Sequence, residues 1–548
     1  MKNVYLSVGL YIFQIVALHA QIWVVDPLEA IYPDENNIAS FSKEWSADFI
    51  PATEIAAHVL VKVPKNTAFS LSAQIEGKQI LGAFSELIDV PVEQNTGIDS
   101  RTEKYKGVKN PDVIREAPFR IFEVIKPIET SLYVGNGNYQ AFRFSLPEGW
   151  KLRDEVTVNF KLTFNDATYS GLFNAKIYPI EIPSASESNF FYTNWFSLSK
   201  MEYHHGLERW SSDWFKMLDK YAALMAHGRQ NAILIPNELL YIENGILKLE
   251  EDKLWQFLKI FRKHGFQFFE APHLMNRGAN DDWGDPELKV ALTGKRYYTE
   301  GGIKDIEHIM ILFRDFAEKY NLVDNWLQHI SDEPTAVNAE CYRDVSKQVK
   351  SIFPQVRIME ATNDRDNLKG AIDIWCPIIN DFQDNEAFFR SREEQGEQIL
   401  VYTCLIPGGK WLNRTLDMEK LRQVYFGWGA AHYNTDGYLH WGLNQYQADP
   451  YQISTVKHPS PAAGPNNYLP AGDTHIIYPG DNRPLSSLRF EAHRIGIEDY
   501  ELLEQIKGKN LVAYKNLMQK IFRSYTDYNV NIMVYREVKK ELLQLLMY

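Results

Sequence analysis

At Pro183-Ser184-Ala185-Ser186-Glu187-Ser188-Asn189 the rhythm of this chain changes, and that change restricts its fold more than any other feature. Before it, the pattern has period two. Val156-Thr157-Val158-Asn159-Phe160-Lys161-Leu162-Thr163 alternates apolar and polar residues, as a strand with one buried face does. In Ala56 to Val63 the three valines share one face while His58 and Lys62 share the other, and Phe119 to Ile125 is a further strand-like run. No long amphipathic helix interrupts them, so residues 21–185 are expected to form an antiparallel β-sandwich. Beyond the Ser-rich linker the rhythm becomes strand, helix, strand, helix. Candidate strands are Phe190–Phe196, Asn231–Asn237, Phe266–Leu274, Trp326–Ser331, Arg357–Thr362, Asp373–Ile379, Ile399–Leu405 and Gly437–Leu443. Helical patterns such as Trp214–His227, Ile306–Tyr320 and Asn338–Ile352 fill most gaps. Eight alternations predict a (β/α)8 TIM-type barrel over residues 190–505, with a helical segment over 506–548. An open doubly wound sheet is the alternative, but the first strand lacks a glycine-rich fingerprint and no Walker sequence occurs.

The first twenty residues carry a separate message. Lys2 precedes an apolar run from Val4 to Leu18, closed by His19 and Ala20. That is the form of a secretory signal peptide, residues 1–20, too short for a membrane span. The expectation is a secreted or periplasmic protein with no transmembrane anchor after cleavage. A net charge of −13 argues against a nucleic-acid partner. Three cysteines, Cys341, Cys376 and Cys404, show neither a disulfide framework nor zinc-ligand spacing.

Catalytic groups of such barrels gather at the C-terminal strand ends. Here those ends carry Asn194 and Trp195, Asn237, His273, Asp332 and Glu333, Asn363, Asn380, Tyr402, and finally Trp441 and Asn444. Amides, aromatics and one acid pair make a cup suited to a neutral polyhydroxylated ligand. The acid pair stands out. Trp326-Leu327-Gln328-His329-Ile330-Ser331 is apolar enough to be a strand, and it ends in Asp332-Glu333-Pro334. Ionised acids are costly to bury, and paired carboxylates are the usual equipment for cleaving glycosidic bonds. A helix cap would be the plainer use of an Asp-Glu-Pro on its own. The segment Gly472–Gly480 has a metal-like look through Asp473 and His475, but the spacing is isolated and no metal or other cofactor is expected. Arg489, Glu491, Arg494, Glu498 and Asp499 read as a solvated or ion-paired helix face.

Together these segments resemble glycoside hydrolase family 123, the β-N-acetylgalactosaminidases, and its uncharacterised relatives. The resemblance rests on Ser331-Asp332-Glu333-Pro334, on Val401 to Pro407, on Asp436 to Gly442, on Gly472 to Gly480 and on Leu488 to Leu503. It implies removal of terminal β-linked N-acetylgalactosamine from a glycan or glycolipid by substrate-assisted retention, in which the sugar's own 2-acetamido oxygen attacks the anomeric carbon. By that resemblance Asp332 holds the acetamide and Glu333 is the general acid and base. An acetamido nucleophile needs a hydroxyl donor and a pocket wall, which makes Tyr402 and Trp441 the candidates. Asn194, His273 and Asn444 are candidates for binding sugar hydroxyls. Two other readings stand beside this one: a barrel glycosidase with two separated carboxylates acting on a sugar lacking the acetamide, and a non-catalytic surface glycan-binding protein. The region Asp449–Ala471 is a long insertion that either rims the pocket or is inert.

Overall fold

The computed structural model describes residues 21–36, 38–98, 101–130, 132–278, 284–362, 364–460 and 464–548. The signal-peptide reading and Asn363 lie outside the described residues. The N-terminal region is two packed sheets. One runs Glu44–Phe49, Ala167–Ile177, Glu155–Phe164, Ala68–Ile75, Lys78–Ile80, with Leu132–Val134 also on Ala68–Ile75. Its pairs are antiparallel except that between Ala167–Ile177 and Glu44–Phe49. The alternation in Glu155–Phe164 is expressed as read: Val156, Val158, Phe160 and Leu162 are buried in the sandwich core, each contributing about 1.5–3 kcal/mol relative to exposure.

The other sheet runs Gln21–Val25, Ala56–Lys62, Tyr139–Ser145, Phe84–Val92, Phe119–Pro127, Pro484–Ser487, Tyr478–Pro479. Its last two strands come from beyond the barrel in sequence. The expected division into 21–185 and 190–505 placed them with the barrel, but Ser486 and Ser487 pair with Ile125 and Val124. The reason is that this sheet is buried on both faces. Val59 and Val61 face the sandwich core, while His58 on the opposite face is fully buried, its Nε2 3.3 Å from Arg143 Nη1.

Eight short parallel strands follow: β1 (Phe191–Asn194), β2 (Ala232–Leu234), β3 (Phe268–Ala271), β4 (Trp326–Gln328), β5 (Arg357–Thr362), β6 (Ile374–Pro377), β7 (Gln398–Tyr402) and β8 (Gly437–His440). They are hydrogen-bonded in sequence order from β2 to β8, and β8 pairs back onto β1. Between β1 and β2 the ladder shrinks to Asn231, whose N–H donates to Tyr192 O at 3.2 Å and whose Oδ1 accepts from Tyr192 N at 2.9 Å. The result is a nearly closed parallel barrel with helices around it. Helices do not fill every connection: the described residues between β5 and β6 hold only a 3-10 turn at Asp366–Leu368. Inward side chains such as Leu327, Met359, Ala361, Cys376 and Leu439 pack together inside the barrel.

Helix Leu421–Tyr433 crosses helix Leu488–Lys509 where Gly427 meets Gly496. A Cβ on Gly427 would come within 1.8 Å of Gly496 O, so the crossing requires glycine. Helices Leu511–Ile521 and Ile532–Met547 follow, with a small hairpin between them. The charged face of helix Leu488–Lys509 is not solvated. Arg489, Glu491, Arg494, Glu498 and Asp499 are all buried and ion-paired, because the helix lies between sandwich and barrel. No helix among the described residues is long and apolar enough to cross a membrane.

Candidate active site

The acid pair sits in the loop leaving β4. Glu333 has φ +45°, the left-handed region that costs a side-chain-bearing residue about 1 kcal/mol or more. Its N–H donates to Ala361 O at the end of β5, at 3.1 Å. This twist breaks the strand alternation that would send consecutive side chains to opposite faces, and both acids line one pocket of about 240 Å³. Trp195, Tyr402, Leu439 and Trp441 form much of the remaining wall. His458, Pro459 and Leu469 complete the rim, so the insertion 449–471 shapes the pocket.

Tyr402 is buried at the end of β7, and its hydroxyl donates to Glu333 Oε1 at 2.5 Å. Burial, with the Glu333 charge adding to it, pushes that phenol well above its ordinary pKa, so it remains a proton donor. Asp332 is half-buried. Its carboxyl is raised above the ordinary carboxylate range by burial first; the nearby His273 opposes this and the Glu360 charge adds to it. The main cause is therefore burial rather than repulsion by the neighbouring acid. Arg277 Nη1 donates to Asp332 O at 2.8 Å.

Beneath the pair lies a charged group that strand ends alone do not announce. His329 is fully buried between Glu270 of β3, at 3.0 Å, and Glu360 of β5, at 3.2 Å. Glu360 also accepts from the N–H groups of Ile330 and Ser331, at 2.9 and 3.0 Å, and from the Tyr342 hydroxyl at 3.2 Å. His273 Nε2 is 3.4 Å from Glu360. Burial raises the Glu360 carboxyl, but His273 and His329, by hydrogen bonding and charge, hold it down to about 2, and against burial the two carboxylates lift His329 to about 10. Trp195 donates its indole N–H to Glu270 Oε2 at 3.1 Å. His273, His329 and Glu360 offer donor atoms within 4.8 Å of one another, but both His329 nitrogens are engaged by carboxylates, so the cluster is satisfied by its own ion pairs.

The sequence candidates divide into three groups. Asp332, Glu333, Tyr402 and Trp441 converge on the pocket. His273 lines a neighbouring cavity of about 600 Å³ over the ends of β1 to β3, together with Asn237. Trp195 stands edge-on to His273 at 5.6 Å and separates the two spaces. Asn194 and Asn444 line neither. Asn194 is fully buried, and its Oδ1 accepts from Arg414 Nη1 at 2.7 Å. Asn444 exchanges two hydrogen bonds with the Ser197 backbone, at 2.7 and 3.0 Å, and so ties the loops after β8 and β1 together. Asn380 lies in helix Ile379–Asp384, away from both cavities. Arg277, Glu270, His329 and Glu360 are the residues that strand-end reasoning passed over, while Trp195 was placed at the end of the first strand without a role. Two acids within apolar strands, Glu270 and Glu360, were the signal that could have found them.

Asp473 is buried under the Trp441 wall, 3.6 Å from His440 Nε2, and burial raises its carboxyl to about 7. Cys404 lines the pocket as a thiol that burial pushes well up, which keeps it from being a nucleophile.

Residues 294–506 match the catalytic-domain model of glycoside hydrolase family 123. No curated protein matches the sequence. Among solved structures, a family 123 glycoside hydrolase from Clostridium perfringens, studied for glycolipid glycan hydrolysis, aligns with TM-score 0.70 at 12% identity, over 96% of this chain and 98% of that one. A β-glucuronidase from Parabacteroides merdae aligns with TM-score 0.30 at 9% identity, over 85% of this chain and 50% of that one. An endo-β-1,4-mannanase from Thermotoga petrophila reaches 0.36 at 11%, over 58% and 78%. Likeness at those last two scores decides nothing. The family match spans β4 to β8 and with them Asp332, Glu333, Tyr402 and Trp441, so residues 294–506 are similar to the catalytic domain of glycoside hydrolase family 123, and glycoside hydrolysis is the activity class that this similarity supports.

Proposed function

We propose that the protein is an exported β-N-acetylhexosaminidase that removes terminal β-linked N-acetylgalactosamine from glycans or glycolipids by substrate-assisted retention. One observation carries the reading. The only carboxylates among the described lining of the 240 Å³ pocket are Asp332 and Glu333, consecutive residues on one part of the wall. A two-carboxylate mechanism places its acids on either side of the scissile bond. With no such partner across the pocket, the nucleophile is best supplied by the substrate's acetamido oxygen.

The roles are those that the resemblance to family 123 implies, carried onto this pocket. Trp195 and Trp441 offer faces for the sugar ring, and the small pocket suits a single terminal residue. Asp332, ionised, accepts the acetamide N–H and balances the charge of the oxazolinium-like intermediate. Glu333, protonated, gives its proton to the leaving oxygen and then takes one from water. Tyr402 already donates toward this centre and is placed to donate to the acetamido oxygen as well. The sandwich serves as a brace rather than a glycan binder: Asp417 in the loop after β7 accepts from the Thr96 N–H at 2.7 Å and from Asn95 at 3.1 Å. The barrel is read as a (β/α)8 barrel with one connection shortened, and residues 1–20 as an export signal that leaves a secreted or periplasmic protein.

The test is hydrolysis of two aryl β-glycosides, N-acetylgalactosaminide and galactoside, by the wild type and by Glu333→Gln. Turnover confined to the acetamido sugar, and reduced about a thousandfold in the variant, is the expected result. Turnover of the plain galactoside would overturn the mechanism.

A further inference from the structure

We propose that Glu360, acting through His329 and Glu270, is a positioning residue that holds the acid pair and the Trp195 wall as one unit. This rests on Asp332 and Glu333 being the reacting acids.

Sequence alternation makes the arrangement possible. Met359 and Ala361 face the barrel interior, so Glu360 between them points outward, toward helix Ala339–Ile352, where Tyr342 meets it. A carboxylate there has no access to a ligand in the pocket. What it reaches is the backbone. One oxygen, Oε2, accepts from the N–H groups of Ile330 and Ser331, the two residues immediately before Asp332. The other, Oε1, meets His329 and His273. Ala361, the next residue, accepts the Glu333 N–H. The β5 segment 360–361 thus grips the β4 loop on both sides of Asp332, and it fixes the left-handed turn that puts two consecutive side chains in one pocket.

The second half of the relay runs inward. His329 Nε2 meets Glu270 Oε2, and the same oxygen accepts the Trp195 indole N–H. An imidazolium donating to both carboxylates satisfies every one of these contacts, whereas a neutral ring could donate to only one. The high pKa of His329 agrees with that. Four strands are joined in this way: β5 to the β4 loop, that loop to β3, and β3 to Trp195 after β1. Outer-sphere partners of this kind typically change activity by about 10- to 100-fold when altered, because small displacements of reacting groups are expensive in rate.

The test compares Glu360→Gln and Glu270→Gln with the wild type on whichever aryl glycoside the wild type cleaves. Glu360→Gln is expected to lose about 10- to 100-fold in kcat with KM unchanged within about twofold. Glu270→Gln is expected to raise KM about threefold or more through Trp195. Wild-type kcat in Glu360→Gln, or equal loss in kcat and KM for both variants, would overturn the proposal. Should Glu360→Gln not fold, Tyr342→Phe takes its place: it removes one donor to the same oxygen, and an unchanged kcat would overturn the proposal. Nitrogen-15 NMR of histidine-labelled wild type, with His329→Gln assigning the signal, supplies a readout free of turnover. Both His329 nitrogens protonated at neutral pH is the expected result, and a neutral ring overturns it. Wild-type cleavage of a plain galactoside would sink the acetamido mechanism and leave this test intact with that sugar. If neither sugar is cleaved, the NMR result decides.

Discussion

Two of the buried charge clusters among the described residues are built on different terms. At the seam of sandwich, barrel and helix Leu488–Lys509, Glu54, Glu491 and Glu498 face Arg143, Arg494 and His227. Arg494 alone contacts all three acids, with Glu491 at 2.9 Å, Glu498 at 2.5 Å and Glu54 at 3.4 Å. Opposite charges are matched there one for one, and burial raises neither Glu54 nor Glu491: both are held below the ordinary carboxylate range by their cationic partners despite desolvation. Under the pocket, Glu270, Glu360 and Asp332 face His329, with His273 and the Arg277 side chain nearby. Glu360 is well satisfied, whereas Asp332 is left with a raised carboxyl and its neighbour Glu333 with a left-handed backbone. The seam spends its charges on holding elements together. The site leaves one acid, Asp332, imperfectly compensated, so that its charge is available to a positively charged intermediate.

The sharpest way to break this comparison is at the seam. Arg494→Ala removes the one cation that contacts all three acids and is expected to cost about 3–5 kcal/mol of stability, read as a lowered denaturation midpoint, while kcat per folded molecule stays at the wild-type value. A large kcat loss in the folded fraction would show that seam and site are not separate.

Asp332→Asn probes the other side. A carboxyl whose folded pKa lies above its unfolded value contributes stability at low pH and loses it as pH rises through the folded pKa. At neutral pH the ionised acid therefore opposes folding. The amide is expected to raise the melting temperature by about 1–3 °C while lowering kcat at least about a hundredfold. A drop in melting temperature would mean that Asp332 is structural.

The smallest effect is expected from His227, exposed at the edge of the seam, whose pKa is raised by the Glu491 charge first. With a raised folded pKa, its contribution is fully present below the unfolded value near 6.5 and fades as pH rises through the folded value. Melting temperature in the wild type should fall slightly across that window, and His227→Gln should flatten the slope. An unchanged slope would remove His227 from the seam's balance.

How much of this was legible before the structure differs by residue. Asp332 and Glu333 announced themselves because an apolar run ending in two acids is costly without a purpose. Tyr402 and Trp441 followed from the rule that strand ends carry chemistry. The same rule misplaced Asn194 and Asn444, since strand position does not tell whether an amide faces the mouth or bonds to a neighbouring loop. Glu360 was passed over because it lies within its strand and points outward, where no ligand is expected.

The sequence by itself determined the two rhythms and so the two architectures, the eight parallel strands, and the position of the acid pair at the end of the fourth. These are local properties: periodicity sets which face is buried, and burial sets the element. Only the tertiary structure decided that residues 478–487 complete the N-terminal sheet, that the charged helix is buried, and that Glu360, His329 and Glu270 underlie the acids. Each of those depends on contacts between segments far apart in the chain. A carboxylate's partner is chosen by geometry in space, and no spacing along the sequence encodes it.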